Sequence, residues 1–198
     1  AQYTQAYTKH HFHEAKNILR YLKGTIDKTI TATKAPKDSL SPLKIEAYVD
    51  ASYGMEKNSK SRTGFIILIN GCPVQWGSKK QSHVASSSTH AEYLALSTLC
   101  TNMTWLLETL RQIPIITMPT YIPIHVDNQP SISTATNLAG TKMSKAIRIS
   151  DHYSKEFFAL EPECEPLYVK TSEQAADILT KPVKNSVLFN YLSSKFIN

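Results

Sequence analysis

Ser86-Ser87-Ser88-Thr89-His90-Ala91-Glu92-Tyr93 opens the longest helical pattern in the chain and sets one carboxylate on its inward side. Leu96, Leu99, Met103, Leu106, Leu107 and Leu110 recur at the three- and four-residue spacing of a core-facing stripe. Glu92 stands one turn before Leu96, so the same spacing aims this acid at whatever Leu96 packs against. The stretch also fits a capping box, with Thr89 as N-cap and Glu92, three residues later, reaching back to the Thr89 amide. Such boxes are common and acids on core faces are rare, so the stretch taken alone favours the cap.

Ahead of this helix, predicted over residues 89–112, the pattern is that of an antiparallel meander. In residues 43–50, Ile45, Ala47 and Val49 alternate with Lys44, Glu46, Tyr48 and Asp50, a strand that ends on Asp50 with its carboxylate opposite the aliphatic trio. Residues 63–69 are β-rich, and Asn70-Gly71 signals a two-residue hairpin leading into Val74-Gln75-Trp76. Beyond the helix, Ile124-His125-Val126-Asp127 reads as a short strand that begins after Pro123. Asn128 can cap a following helix with Pro130 in its first turn.

Residues 142–160 have helical spacing, and Leu167-Tyr168-Val169 forms a last short strand. Thr171 or Ser172 caps a brief helix that carries Asp177 and runs through Leu179, stopped by Pro182. A final amphipathic piece covers residues 187–196. These elements predict an α/β fold: a mixed five-stranded sheet, antiparallel meander plus parallel strands, flanked by helices.

Upstream, residues 13–22 form a helix with Ala15, Ile18, Leu19 and Leu22 as its stripe and Gly24 as its stop. His10, His11 and His13, at its start, have no partner cluster and read as solvated helix-start residues rather than metal ligands. Residues 25–42 turn polar around Pro36, Asp38, Ser39 and Pro42. The expected organisation is therefore an N-terminal segment of helix and linker, residues 1–42, and a main domain, residues 43–198, that ends in a C-terminal helix.

With 198 residues, 41% of them apolar, the chain can bury one sizeable core. Neither a long apolar run nor a signal-peptide pattern is visible, which predicts a soluble, non-secreted chain without a membrane partner. Cys72, Cys100 and Cys164 form no short-spaced pair, as expected of free thiols in a reducing compartment rather than a disulfide frame or zinc knuckle. A net charge of +6 argues for a polyanionic partner.

Asp50 and Asp127 at two strand ends, with Glu92 and Asp177 near two helix starts, can converge on one edge of a mixed sheet. Hard divalent cations require such oxygen donors, and a pair of ions can clamp the attacking and leaving oxygens of a phosphodiester. Each acid also has a local reading as a turn, cap or solvated helix residue.

Asp50-Ala51-Ser52-Tyr53-Gly54, Lys60-Ser61-Arg62-Thr63-Gly64-Phe65, Trp76-Gly77-Ser78-Lys79-Lys80-Gln81, Ser87-Ser88-Thr89-His90-Ala91-Glu92-Tyr93, Asp127-Asn128-Gln129 and Ala176-Asp177-Ile178-Leu179-Thr180-Lys181-Pro182 occur in the order found in one family. Over residues 45–182 the chain closely resembles the ribonuclease H domain at the C-terminus of copia-type LTR-retrotransposon Pol polyproteins. The run from His13 to Thr25 resembles the end of the preceding reverse transcriptase region. The resemblance implies the ribonuclease H fold and endonucleolytic hydrolysis of the RNA strand of RNA/DNA hybrids during reverse transcription. It also implies two magnesium or manganese ions held by Asp50, Glu92, Asp127 and Asp177.

The reverse transcriptase region of the same polyprotein becomes the expected partner. A cytoplasmic virus-like particle is the expected setting, with the nucleus as the other compartment. Family members carry a Thr-Lys-His run where this chain has Ser144-Lys145-Ala146. His152 resembles a second family histidine that would assist product release, and is otherwise an ordinary exposed histidine; His125 reads as structural.

For the hybrid itself, Lys79, Lys80, Lys145 and Arg148 are the expected backbone contacts, or else a solvated surface. Ser87 and Ser88 could hold a phosphate at the helix N-terminus, and Asn128 or Gln129 could reach the minor groove where 2′-hydroxyls mark RNA. The competing expectations are a retroelement-derived module that binds nucleic acid or protein without turnover, and a nuclease or integrase of the same fold acting on DNA.

Overall fold

The computed structural model describes residues 6–32, 41–137 and 153–197. The alternation around Val49 builds β1 (Ile45–Ser52), which pairs antiparallel with β2 (Arg62–Ile69) from Ile45 opposite Ile69 to Ser52 opposite Arg62. Asn70 and Gly71 turn the chain with φ of 52° and 76°, the pair of positive values that a tight hairpin with the strands' own twist requires. β3 (Cys72–Lys80) follows, with a register shift where Leu68 faces Pro73. Both β1 and β3 run further than their alternation predicts, so Asp50 lies inside β1 and Lys79 and Lys80 lie on β3.

β4 (Ile122–Val126) and β5 (Cys164–Tyr168) add parallel to β1, giving the order β3-β2-β1-β4-β5. The mixed five-stranded sheet is as expected. β4, however, includes Pro123 instead of starting after it. Pairing with β1 begins only at Ala47 and Ile124, so the proline leaves no ladder bond unmade.

α2 (Ser88–Arg111) lies across the sheet face made by Ile45, Ala47, Val49, Phe65 and Ile67, and fully buries Leu96, Leu99, Met103 and Leu107. α3 (Gln129–Thr136) and α4 (Tyr153–Leu160) pack beside it. On the opposite face a thinner layer of Tyr48, Ile66 and Leu68 meets Ala175, Ala176, Leu179 and Phe196. That layer is carried by α5 (Asp177–Thr180) and by the chain around α6 (Ser186–Ser193).

The single helix expected from Thr171 or Ser172 to Leu179 is two pieces, a 3-10 turn at Thr171–Glu173 and then α5. Neither hydroxyl caps it, because Gln174 between the pieces is drawn wholly into the interior. The helix expected over residues 142–160 is described only from Tyr153 onward, so Lys145, Arg148 and His152 lie outside the described residues.

α1 (Lys9–Gly24) starts earlier than its apolar stripe predicts, because Thr8 and His11 cap each other reciprocally. It buries no residue, and its Tyr21 meets Phe189 edge-on at 6.1 Å. Residues 25–32 carry neither helix nor strand. Cys100 and Cys164 are buried, Cys72 is half-buried, and all three are free thiols. Among the described residues no helix is long and apolar enough to cross a membrane.

Candidate metal centre

The last parallel pair of β1 and β4 is Val49 with Val126, and the next residue of each strand is an aspartate. Asp50 points to the face covered by α5, whose first residue is Asp177. Both are nearly sealed from solvent, at 2% and 3% exposure, and Asp127 is half-buried. One carboxylate oxygen from each of Asp50, Asp127 and Asp177 lies within 4.8 Å of the others.

Gly64, directly opposite Asp50 on β2, is what lets α5 sit so close: a Cβ there would lie 2.6 Å from Thr180 Cγ2. Thr180 Oγ1 donates to Asp50 Oδ2, and Thr171 Oγ1 donates to Asp127 Oδ2 at 2.9 Å. Lys181 Nζ pairs with Asp177 Oδ1 at 2.8 Å.

Glu92 arrives from the other side of β1. The N-cap of α2 is Ser87, whose hydroxyl accepts from the His90 amide at 3.1 Å, so the capping box at Thr89 does not form. Ser87 is the residue with extended backbone, φ −159°, which leaves Glu92 in the second turn, too far along to reach back to a cap amide. It is 7% exposed and accepts a bond from the Ala51 backbone, while its Oε2 is buried without a hydrogen-bond partner. Glu92 stays outside the 4.8 Å aspartate group but within electrostatic reach of Asp50 and Asp127.

The crowding raises proton affinities. Burial pushes Asp50 up to about 6 against the Thr180 bond, with Asp177 adding to the rise. Burial, then Asp50 and Asp127, push Glu92 up to about 9. Asp127 rises through burial and the Asp50 charge. Lys181 is raised although burial opposes it, because Asp177, Asp50 and Asp127 together outweigh that penalty. An acid set that resists ionising together, made only of hard oxygen donors and containing an orphaned buried oxygen, fits a divalent cation of the magnesium class. Asp50, Asp127 and Asp177 would hold such an ion, with Glu92 within electrostatic reach of two of them.

The pH dependence follows from those directions. The folded state binds protons at Asp50 and Glu92 more tightly than the unfolded chain does, so stability falls as pH rises above the ordinary carboxylate range. Metal-free protein should therefore melt progressively lower from pH 4 through about 6 for Asp50 and on toward about 9 for Glu92. Glu92→Gln should remove the upper part of that decline in a thermal-melt series across pH. A melting temperature independent of pH over this window would contradict the assignment.

Of the expected nucleic-acid contacts, Lys79, Lys80, Ser87, Ser88, Asn128 and Gln129 fall among the described residues. Lys79 pairs with Thr63 and Lys80 with Arg62, which in turn face Ala51 and Ser52, placing both lysines two strands, about 10 Å, from the strand that carries Asp50. They also line a cavity of about 280 Å³ with Gln81, His83, Ser97 and Tyr153. Ser88 is exposed in the first turn of α2, whereas the Ser87 hydroxyl is engaged as the cap. Asn128 caps α3 through Oδ1 to the Ser131 amide at 2.9 Å, and Gln129 is exposed beside it. His125 stacks on Tyr48 at 4.3 Å and faces Glu46 at 3.7 Å, consistent with its structural reading.

The residue that sequence reasoning missed is Gln174. Its Nε2 donates to Val49 O at 3.0 Å and His125 O at 3.2 Å, and its Oε1 accepts from the Ala176 amide at 3.2 Å. One buried carboxamide thus ties together the backbone one or two residues before each of the three aspartates. Thr180 and Lys181 stand in the motif around Asp177, where local pattern gives no sign that one bonds Asp50 and the other pairs with Asp177.

No model of a known protein family matches the chain. It is 31% identical over 195 residues to the retrovirus-related Pol polyprotein from transposon RE1 of Arabidopsis thaliana, covering 98% of this chain and 13% of that one. It is 32% identical over 176 residues to the Pol polyprotein from transposon TNT 1-94 of Nicotiana tabacum, covering 88% and 13%. The chain therefore spans about an eighth of the length of these relatives. Among solved structures it matches LC11-RNase H1, isolated from compost by a metagenomic approach, with TM-score 0.54 and 16% identity over 76% of this chain and 99% of that one. RNase H1 from the halophilic archaeon Halobacterium salinarum matches with TM-score 0.51 and 16% identity over 69% and 94%.

Proposed function

From homology to a segment of copia-type transposon Pol polyproteins and from a ribonuclease H fold, we propose that this chain cleaves the RNA strand of RNA/DNA hybrids during retrotransposon reverse transcription. The observation that carries this reading is the convergence of Asp50, Asp127 and Asp177 within 4.8 Å at a sheet edge flanked by Lys79 and Lys80.

In the proposed mechanism Asp50, Asp127 and Asp177 would hold the ions and Glu92 would complete the set. Two magnesium or manganese ions bound there would supply an activated water and neutralise charge on the leaving oxygen. Gln174, Thr171 and Thr180 hold the aspartates in place before any substrate arrives. Lys79 and Lys80 attract the hybrid backbone, and Ser88 with the first amides of α2 receives a phosphate. Asn128 and Gln129, directly after Asp127, read the 2′-hydroxyls that distinguish RNA. His152, Lys145 and Arg148 keep their expected roles in product release and backbone contact. The reverse transcriptase region of the same polyprotein would deliver the hybrid, inside a cytoplasmic virus-like particle.

The test is a side-by-side incubation of end-labelled RNA/DNA hybrid, all-DNA duplex and double-stranded RNA with magnesium. Cleavage confined to the RNA strand of the hybrid is expected. Hybrid binding without turnover would point to the non-catalytic module, and equal cleavage of the DNA duplex to a nuclease acting on DNA.

A further inference from the structure

Lys181 places its charge where the aspartates need a cation. It follows α5 at the i,i+4 position from Asp177, and its Nζ lies 2.8 Å from Asp177 Oδ1. The same ammonium acts electrostatically on Asp50, Asp127 and Glu92, so one protein-borne cation serves all four acids of the site. The backbone at this point is fixed, since the Lys181 amide donates to Asp177 O at 3.1 Å and Pro182 follows. The side chain is not fixed in the same way: at 41% exposure its flexible stem has an open route to solvent.

A divalent ion bound among these oxygens would meet the Lys181 charge only a few ångströms away. At that separation like charges repel strongly even in a partly solvated setting. The ammonium and the ion therefore compete for one electrostatic niche. A side chain with a fixed root, a flexible stem and a tip held, among the described residues, only by this ion pair is suited to leave when the ion enters.

Building on the nuclease reading, we propose that Lys181 is an internal counter-cation: it neutralises the aspartate cluster in the metal-free protein and is displaced when divalent ions bind. Metal loading is then an exchange of one protein charge for ions. The lysine keeps the folded chain tolerable before metal arrives, at the cost of weaker metal binding than the bare acids would give.

The test compares the full chain with Lys181→Met and Lys181→Arg by calorimetric titration with manganese and by thermal melting with and without saturating magnesium. Lys181→Met should bind manganese about tenfold tighter or more, because a repulsive charge has been removed. It should also melt below the parent without metal, and the gap should close when metal is saturating. A Met variant that folds only with metal is the extreme of the same result. Lys181→Arg, which keeps the charge, should melt near the parent in both conditions. Unchanged or weaker manganese binding by Lys181→Met, or a melting gap equal with and without metal, overturns the proposal. Failure of the nuclease reading would look different: the parent would bind manganese yet leave the hybrid intact.

Discussion

Asp50→Asn should lose hybrid cleavage by on the order of 1,000-fold or more, since even one charge-stabilising donor in an active site is worth about 10²–10³ in rate. Without metal the same variant should melt at a higher temperature than its parent. The opposite signs come from one geometry. A carboxylate oxygen of Asp50 lies within 4.8 Å of one from each of Asp127 and Asp177, and its charge also bears on Glu92, so its ionised form is repelled by several neighbours in a buried site.

An asparagine there keeps an oxygen for the Thr180 hydroxyl to bond and removes the repulsion. The ion, in turn, loses a ligand that no neighbour can replace. Magnesium should accordingly raise the melting temperature of the parent and do so much less for the variant. Cleavage rates on labelled hybrid and paired melts with and without magnesium measure both effects. If the variant lost stability in proportion to activity, Asp50 would be a structural residue.

What the sequence revealed of this site depended on the range over which each signal acts. Asp50 and Asp127 were legible because strand alternation and chain punctuation are local, and both lie one step past the Val49–Val126 pair. Glu92 was legible from the Leu96 stripe but not from its cap. Ser86, Ser87, Ser88 and Thr89 all offer a hydroxyl, and local preference cannot choose among them. The backbone turned at Ser87, which freed Glu92 from any capping role.

Gln174 was invisible for the opposite reason. Its partners are the carbonyls of Val49 and His125, and nothing within residues 171–179 reports that two strand ends wait there to be bonded. The local pattern therefore read as one continuous helix, and the long-range bonds divided it. Gly64 falls between these cases. A glycine inside a strand signals close approach of something, but the approaching group is α5, far along the chain.

That approach makes Gly64→Ala the second substitution with a large expected effect. The added methyl would meet Thr180 Cγ2 at 2.6 Å, Ala176 O at 3.0 Å and Leu179 Cβ at 3.0 Å. A methyl can rotate aside, but a backbone carbonyl and a Cβ move only with their helix, so α5 must lift from β2. Overpacking of this kind costs about 1–3 kcal/mol.

The functional loss should be larger, because α5 carries Asp177 and the Thr180 hydroxyl bonded to Asp50. A shift of about 1 Å in a catalytic constellation can cost about 100-fold in rate. Gly77→Ala is the matched control. Its methyl would meet Phe65 Cε1 at 2.5 Å, but a ring edge can swing away and Gly77 does not underlie α5. Both variants should lower the melting temperature. Only Gly64→Ala should weaken manganese binding and slow hybrid cleavage beyond what its lost stability explains, and parallel losses of activity in the two variants would show that the packing of α5 on Gly64 does not position the site.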